Sequence, residues 1–409
     1  MSGGMTKRRH HKRVLIYSHD TFGLGHLRRC RTIAHSLVEA DKDLSVLILS
    51  GSPIIGSFDF RARVDFVRIP GVIKLRNGEY TSLNLHIGIE ETLEMRASII
   101  EHTAAIFDPD LFIVDKEPLG LRGEVKPTLD LLRRRGSPVV LGVRDVMDEP
   151  ALLAPEWERK KVVPALQKYY DDIWVYGLPQ ICEPLADIGL PASVLKRMSY
   201  TGYLRRTAPA SMPTNAGFGL FDEPYILVTP GGGGDGETLV DWVLSAYEFD
   251  KRLPYPSLIV LGPFMQPEAQ ADFLARAGRL GKVKAITFDA RLEALMARSL
   301  GVVAMGGYNT FCEILSFDKR ALIVPRTTPR LEQFIRTSRA EELGLVKMLA
   351  DDGMRDARQM ATALRHLPQQ AVPSQIVVPG LLDGLDCVNR LAEKWLRAPG
   401  SRSAKVAVG

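Results

Sequence analysis

Short, wholly apolar runs alternate with longer amphipathic stretches along most of the chain. The runs at residues 13–17, 44–49, 111–114, 139–143 and 173–175 are rich in Val, Ile and Leu. They lack the every-second-residue polarity of a half-exposed strand. Such runs predict strands of a parallel sheet buried on both faces, with the intervening stretches as covering helices. One pattern occurs twice. Val14, Leu15, Ile16 and Tyr17 lead into Gly23, Leu24, Gly25 and His26, and then into a helix-period stretch over residues 31–38. In the second half Tyr225, Ile226, Leu227 and Val228 lead into Gly231, Gly232, Gly233 and Gly234, and then into a helical stretch over residues 237–247. Strand, glycine loop and helix are how a Rossmann unit begins. Two such starts predict two α/β domains, the second continuing with strands at 258–261, 284–288, 301–304 and 321–324. Pro209, Pro213 and Gly217, with little periodicity around them, mark residues 206–223 as a linker. The reading is therefore a basic tail over 1–12, a first Rossmann-like domain over 13–205 and a second over 224–385. A C-terminal helix and polar tail follow over 386–409.

A length of 409 residues, too long for one ordinary core, agrees with that division. Charge adds a restriction. Of the net +5, all is carried by Lys7, Arg8, Arg9, Lys12 and Arg13; without them 48 basic residues balance 48 acidic ones. A neutral body leaves no broad footprint for nucleic acid, so none is expected as a partner. The tail could touch an anionic membrane surface, at roughly 1 kcal/mol per basic residue; a solvated terminus is the plainer reading. Cys30, Cys182, Cys312 and Cys387 are far apart and form no C-x-x-C pair. That spacing fits a reducing cytoplasm and disfavours a local zinc knuckle. No apolar run reaches the roughly 18 residues of a membrane span, and no signal-peptide core follows the basic N-terminus. A cytoplasmic protein is expected, with peripheral contact at the inner membrane face as the variant the tail allows.

The glycine loops carry the candidate chemistry. A loop of this kind lets a phosphate approach backbone N–H groups, and the following helix adds roughly half a positive charge. Gly231, Gly233 and Gly236 fit the dinucleotide fingerprint formally. A nicotinamide site also needs an acid at the end of the second strand. That strand ends Val260, Leu261, Gly262, Pro263, so no such cofactor is expected. The loop after residues 301–304 is more specific. Gly306 and Gly307 permit close approach, Asn309 and Thr310 fall on the next helix's first turn, and Glu313 follows one turn later. A carboxylate there suits the two hydroxyls of a ribose; a capping or solvated carboxylate is the alternative. The pair Glu332 and Gln333 suits sugar hydroxyls, or plain surface. Arg144 and Asp145 end the strand at 139–143, the edge where parallel sheets bind ligands. They could contact an acceptor or form a structural ion pair. Asp108 and Asp110 form a D-x-D that precedes a strand, so it is read as a turn and not as a metal motif. Residues 80–89, with Lys74 and Arg76 upstream, form an excursion with apolar members, either a dock for a lipid-linked acceptor or a packed loop.

Taken in order, these pieces resemble the GT-B glycosyltransferases of families 28 and 1, which include the lipid-linked GlcNAc transferase of peptidoglycan synthesis. The resemblance spans most of the chain and is strongest over residues 283–345. It implies two Rossmann-like domains facing a central cleft, and transfer of a hexose or N-acetylhexosamine from a nucleotide-diphosphate sugar, UDP-linked by resemblance, to a hydroxyl acceptor. That transfer would be inverting and independent of a metal, in cell-envelope polysaccharide or glycolipid synthesis. By the same resemblance the Phe288 backbone reads the base, Glu313 holds the ribose, and Gly307, Asn309 and Thr310 line the diphosphate. Glu332 and Gln333 hold the donor sugar. Gly23, Gly25 and His26 form the acceptor-side loop, and Asp115 orients the histidine. His26 is then the base, titrating near neutrality, with Asp115 fixing its tautomer; His19 is the rival base. The helix starts after Gly234 and Gly307 would take the leaving diphosphate. Three departures stand out: Arg29 where the family often has proline, no Ser or Thr in the second loop before Asp235, and Arg336 where an Asn often stands. They point to a relative with another acceptor. The same fold carries other chemistry, so a nucleotide-sugar hydrolase or 2-epimerase, and a non-catalytic nucleotide-sugar-binding protein, stand as alternatives.

Overall fold

The apolar runs form strands, and their order places the site. The computed structural model describes residues 11–19, 25–75, 79–207, 223–231, 235–289 and 292–397. The first half runs β1 Lys12–Ser18, α1 Gly25–Ala40, β2 Leu44–Ser50, β3 Val64–Arg68, β4 Val72–Lys74, β5 Tyr80–Ser82 and α2 Ile89–Phe107. It continues β6 Leu111–Asp115, α3 Lys126–Arg135, β7 Val139–Arg144, α4 Pro150–Arg159, α5 Val162–Tyr169, β8 Asp172–Tyr176, α6 Ala192–Leu195 and β9 Met198–Tyr200. The second half begins β10 Ile226–Thr229, α7 Glu237–Phe249, β11 Ser257–Val260, α8 Pro267–Gly278, β12 Val283–Ile286, α9 Leu292–Arg298 and β13 Gly301–Ala304. It ends α10 Tyr308–Ser316, β14 Arg320–Ile323, α11 Glu332–Glu342, β15 Lys347–Met348, α12 Ala357–His366 and α13 Gly384–Leu396.

Two parallel sheets result, ordered β3-β2-β1-β6-β7-β8-β9 and β12-β11-β10-β13-β14-β15. In each, the first strand lies inside the sheet; the chain winds outward on one side and then crosses to the other. The switch points are therefore between β1 and β6, and between β10 and β13. Ligands of open α/β sheets bind beyond the strand ends at such points. The Rossmann-like starts read from the sequence are these two central strands.

Burial follows the strand alternation. Val14 and Ile16 pack with Cys30, Ile33 and Leu37 of α1, while Leu15 and Tyr17 pack with Ile100 of α2 and Leu129 of α3. In the second sheet Ile226 and Val228 face Leu239 and Val243 of α7. Leu227 turns to the other side and joins Met296 and Phe311. That cluster is continuous with the first half's core: the Tyr203 ring stands edge-on to Phe311 with centroids 5.1 Å apart.

The C-terminal helix returns to the first half. Val388 and Ala392 of α13 enter the core cluster that holds α1, and Asn389 donates through Nδ2 to Ser36 Oγ at 3.0 Å. The chain's two passages between halves touch: Tyr203 N–H donates to Leu381 O at 2.8 Å, and Gly384 N–H to Tyr203 O at 3.2 Å.

One detail differs from expectation. The strand read at 284–288 ends at Ile286, which leaves Phe288 two residues beyond it and 47% exposed. The excursion at 80–89 is in part a packed arm: β4 pairs antiparallel with β5, and Tyr80 and Ile89 lie against Val72, Leu93 and Leu121. Asp108 adopts a left-handed conformation at the C-cap of α2, and Asp110 accepts from Arg13 N–H at 2.9 Å, so the D-x-D is a turn. Among the described residues no helix is long and apolar enough to cross a membrane.

Candidate active site

The first switch point brings His26 and Asp115 together. Asp115 is the last residue of β6, and His26 lies in the first turn of α1. His26 Nδ1 is 2.5 Å from Asp115 Oδ2. Burial works to raise Asp115, but Arg29 and His26 hold its carboxyl well below the usual range. As a carboxylate it only accepts hydrogen bonds, so Nδ1 carries the proton and Nε2 keeps its lone pair. Burial pulls the His26 pKa below its ordinary value; Asp115 opposes this, and Arg29 and Lys116 add to it.

Arg29, where the resembled family often has proline, clamps the same carboxylate. Its Nε donates to Oδ1 at 2.8 Å, and its Nη2 to Oδ1 and Oδ2 at 2.7 and 2.8 Å. Asp115 is thus locked from two sides.

His19 lies just past β1, with its ring edge-on to His26 at 5.8 Å. Burial pulls it well below its ordinary pKa as well. The Tyr17 hydroxyl donates to Glu124 Oε1 at 2.5 Å, which leaves its oxygen to accept from His19 Nδ1 at 3.3 Å. Glu124 is in turn held by Arg96 Nε at 2.5 Å and Nη2 at 2.7 Å. His19 therefore sits in a buried structural network, while 16% of the His26 side chain reaches solvent. His26 is the more accessible of the two.

The second switch point holds the loop of Gly306 and Gly307 between β13 and α10. Gly306 has φ +78°, and a Cβ there would lie 2.8 Å from Ile323 Cγ2, so the position requires glycine. Gly307 is the N-cap of α10 and opens on free space, where a Cβ would meet nothing within 4 Å. Asn309 and Thr310 follow in the first turn, mostly buried, and Glu313 is wholly buried. Burial pushes the Glu313 carboxyl up, against the opposing charge of Arg28. Gly231, with φ +98°, lies two residues past β10, its carbonyl where a Gly262 Cβ would come within 2.8 Å. Gly23, Gly232, Gly233 and Gly234 lie outside the described residues, as do the basic tail over 1–10, Arg76, and most of the 206–223 linker.

The two switch points meet across the cleft. Asn309 Nδ2 donates to Gly25 O at 3.0 Å. Arg144 Nη2 reaches Glu332 Oε2 at 2.5 Å. Burial would raise Glu332, but Arg144, Arg336 and Arg326 bring it to about 2. Gln333 Oε1 accepts from Arg326 N–H at 3.1 Å. Asp145 and Arg336 form a fully buried bidentate pair, Nε and Nη2 each donating at 2.6 Å, and Tyr203 adds its hydroxyl at 2.7 Å. Arg144 and Asp145 thus each form an ion pair with a residue of the other half. Arg336 also donates to Gly306 O at 2.9 Å, which ties that glycine loop, through Asp145, to the first half.

Three residues of the cleft were not read from the sequence. Arg28 donates to both Glu313 and Glu293. Arg206 donates through Nη2 to Asn309 Oδ1 at 2.7 Å. Lys116, beside Asp115, has φ +67° and an ammonium 3.7 Å from Glu117. Burial pulls its pKa down to about 8, with Arg144 and Arg330 adding to the effect and Glu117 opposing it. The available signal was position, since Arg28 lies two residues past the glycine–histidine loop and Lys116 directly follows a central strand.

No protein-family model matches the chain, and no curated protein is similar to it in sequence. Solved structures match in three dimensions. The glycotransferase of kitacinnamycin has a TM-score of 0.59 at 14% identity, over 94% of this chain and 99% of that one. The glycosyltransferase VinC in complex with dTDP has a TM-score of 0.58 at 16% identity, over 94% and 98%. A Listeria monocytogenes protein described as a UDP-N-acetylglucosamine 2-epimerase has a TM-score of 0.61 at 14% identity, over 93% and 94%. The likeness covers nearly whole chains and shows the fold. The chain has the GT-B architecture of these glycosyltransferases, two Rossmann-like domains facing a cleft.

Proposed function

We propose that this chain is a glycosyltransferase that moves a hexose or N-acetylhexosamine from a nucleoside-diphosphate donor to an acceptor hydroxyl, with inversion and without a metal. One observation carries the reading: His26, oriented by Asp115, lies on α1, whose first residue Gly25 accepts a hydrogen bond from Asn309 in the first turn of α10. A base and a phosphate-type helix start thus share one cleft.

His26 Nε2 takes the proton of the acceptor hydroxyl. The acceptor oxygen attacks the anomeric carbon from the face opposite the diphosphate. The bond from that carbon to the phosphate oxygen breaks, and its electron pair stays on the diphosphate. The α10 N-terminus, with Gly307, Asn309 and Thr310, meets that charge. Glu313 accepts from the ribose hydroxyls, the backbone at Phe288 reads the base, and Glu332 and Gln333 bind the donor sugar. Arg144 orders Glu332 by its ion pair. VinC holds dTDP in its own structure, which supports a nucleoside diphosphate in this fold; uridine is the base the sequence resemblance favours. Leu75 and Leu85, exposed on the arm around β5, support a lipid-linked acceptor taken at the cytoplasmic membrane face.

The test is thermal stabilisation by a panel of nucleotide sugars on wild type and Glu313→Ala. Donor at about 100 times its dissociation constant stabilises by roughly 2.7 kcal/mol, and Glu313→Ala is expected to abolish the shift. A well-folded wild type that shifts with no nucleotide sugar would refute the donor site. The Listeria likeness favours one second reading, a 2-epimerase. Incubation with donor alone separates the two, since an epimerase converts it without any acceptor.

A further inference from the structure

The first turn of α1 sends two adjacent arginines in different directions. Arg29 stays within its own half, on Asp115. Arg28 crosses the cleft, where Nη2 donates to Glu313 Oε1 and to Glu293 Oε1. Glu313 is wholly buried, and its second oxygen, Oε2, has no partner. A buried carboxylate oxygen left unpaired is costly, so it marks a place for hydrogen-bond donors from outside the chain. Beside it, Arg206 is more than nine-tenths buried; it holds Asn309 through Nη2 while its Nε is buried without a partner. Two guanidinia, Arg28 from the first half and Arg206 from the start of the linker, thus stand against the first two turns of α10, and groups on both sides have unused hydrogen-bonding capacity.

Resting on the donor site proposed above, these contacts set up a competition. A ribose on Glu313 and the Arg28 guanidinium need the same carboxylate. Glu313 is three residues past Thr310, which places the two roughly 4.5 Å apart along the helix axis. A diphosphate at the helix start therefore lies within one swing of an arginine side chain from Glu313. We propose that Arg28 changes partner when a donor binds: the ribose hydroxyls take over Glu313, and the guanidinium moves to the diphosphate and neutralises the leaving group. Guanidinium and phosphate match in charge and in forked geometry. Arg206 stays close enough to offset the charge of Glu313 and Glu293. Arg28 is then a catalytic residue supplied by the acceptor-side half, which makes leaving-group stabilisation depend on both halves being in contact.

The experiment is calorimetric titration with uridine, thymidine, UDP and dTDP on wild type, Arg28→Gln and Arg28→Lys, each checked for folding by circular dichroism melting. Arg28→Gln frees Glu313 and removes the charge that meets phosphate. It should bind the matching nucleoside severalfold more tightly and its diphosphate about tenfold more weakly. Arg28→Lys should recover part of the diphosphate affinity. If Arg28→Gln weakens nucleoside and diphosphate alike, or changes neither, the exchange of partners is overturned. If wild type binds no nucleoside diphosphate, the donor-site reading itself fails, and that titration shows it without any variant.

Discussion

Replacing Asp145 by asparagine removes one charge and changes almost no volume. The native carboxylate is fully buried and accepts three hydrogen bonds, two from Arg336 at 2.6 Å and one from Tyr203 at 2.7 Å. In Asp145→Asn the Arg336 guanidinium stays charged and buried, with Gly306 O as its remaining charge-free hydrogen-bond acceptor among the described residues. Breaking a buried pair from one side costs about 3–5 kcal/mol. Arg336→Met leaves the carboxylate with only the Tyr203 hydroxyl and should cost a similar amount. The double variant removes both charges and should cost less than either single change, so the coupling is at least about 3 kcal/mol. Urea unfolding measures it. Trp157 and Trp174 report on the first half and Trp242 on the second, which checks whether the halves unfold together. With a slope of about 2 kcal/mol per molar urea, a 3 kcal/mol loss moves the midpoint by about 1.5 M. If the single costs add in the double variant, or Asp145→Asn costs less than about 1 kcal/mol, the pair does not hold the cleft together.

Two further outcomes follow from the titrating groups. Because burial lowers the His26 pKa, its imidazole stays neutral to lower pH, and the acidic limb of kcat/KM should fall below about 6.5. Asp115→Asn removes the group that raises the pKa, so it should push the limb lower still and cut kcat by roughly two to four powers of ten. Arg29→Met should move the limb upward; a wild-type limb above 6.5 would contradict the assignment. Lys116, pulled down to about 8 by burial with Arg144 and Arg330 adding to it, should titrate near 8 in carbon NMR of the dimethylated protein. Arg330→Gln should raise that value, and an ordinary value near 10.4 in wild type would refute the packing described around it.

Legibility in the sequence tracked the locality of the physics. The central strands were visible because a strand covered on both faces has no polar positions, as Val14, Leu15, Ile16 and Tyr17 show. Edge strands such as β9, half-exposed over Met198–Tyr200, carry no such pattern. Gly306 was legible because backbone conformation and close packing both demand glycine there. Pairing across the cleft was not legible. Arg28 and Glu313 are 285 residues apart, and Arg336 and Asp145 are 191 apart. Arg28 and Arg336, each on a helix, carry no sign of a distant partner until the halves are brought together. Arg29 and Arg336 stood out as departures from the resembled family's pattern, but only their partners, Asp115 and Asp145, give the reason for them.

The two passages of the chain between the halves lie side by side, joined through Tyr203, Leu381 and Gly384. A single connecting strand would let one half swivel freely about it. Two segments bonded to each other at Tyr203 restrain twisting more than a single one does. Any opening of the cleft would then swing about the line through this junction, and the contacts farthest from it would separate most for a given angle. A cut near Gly380 that removed α13 would take away the second segment together with the helix braced against α1. The expected product still folds in each half, but its halves no longer return to the same register on closing.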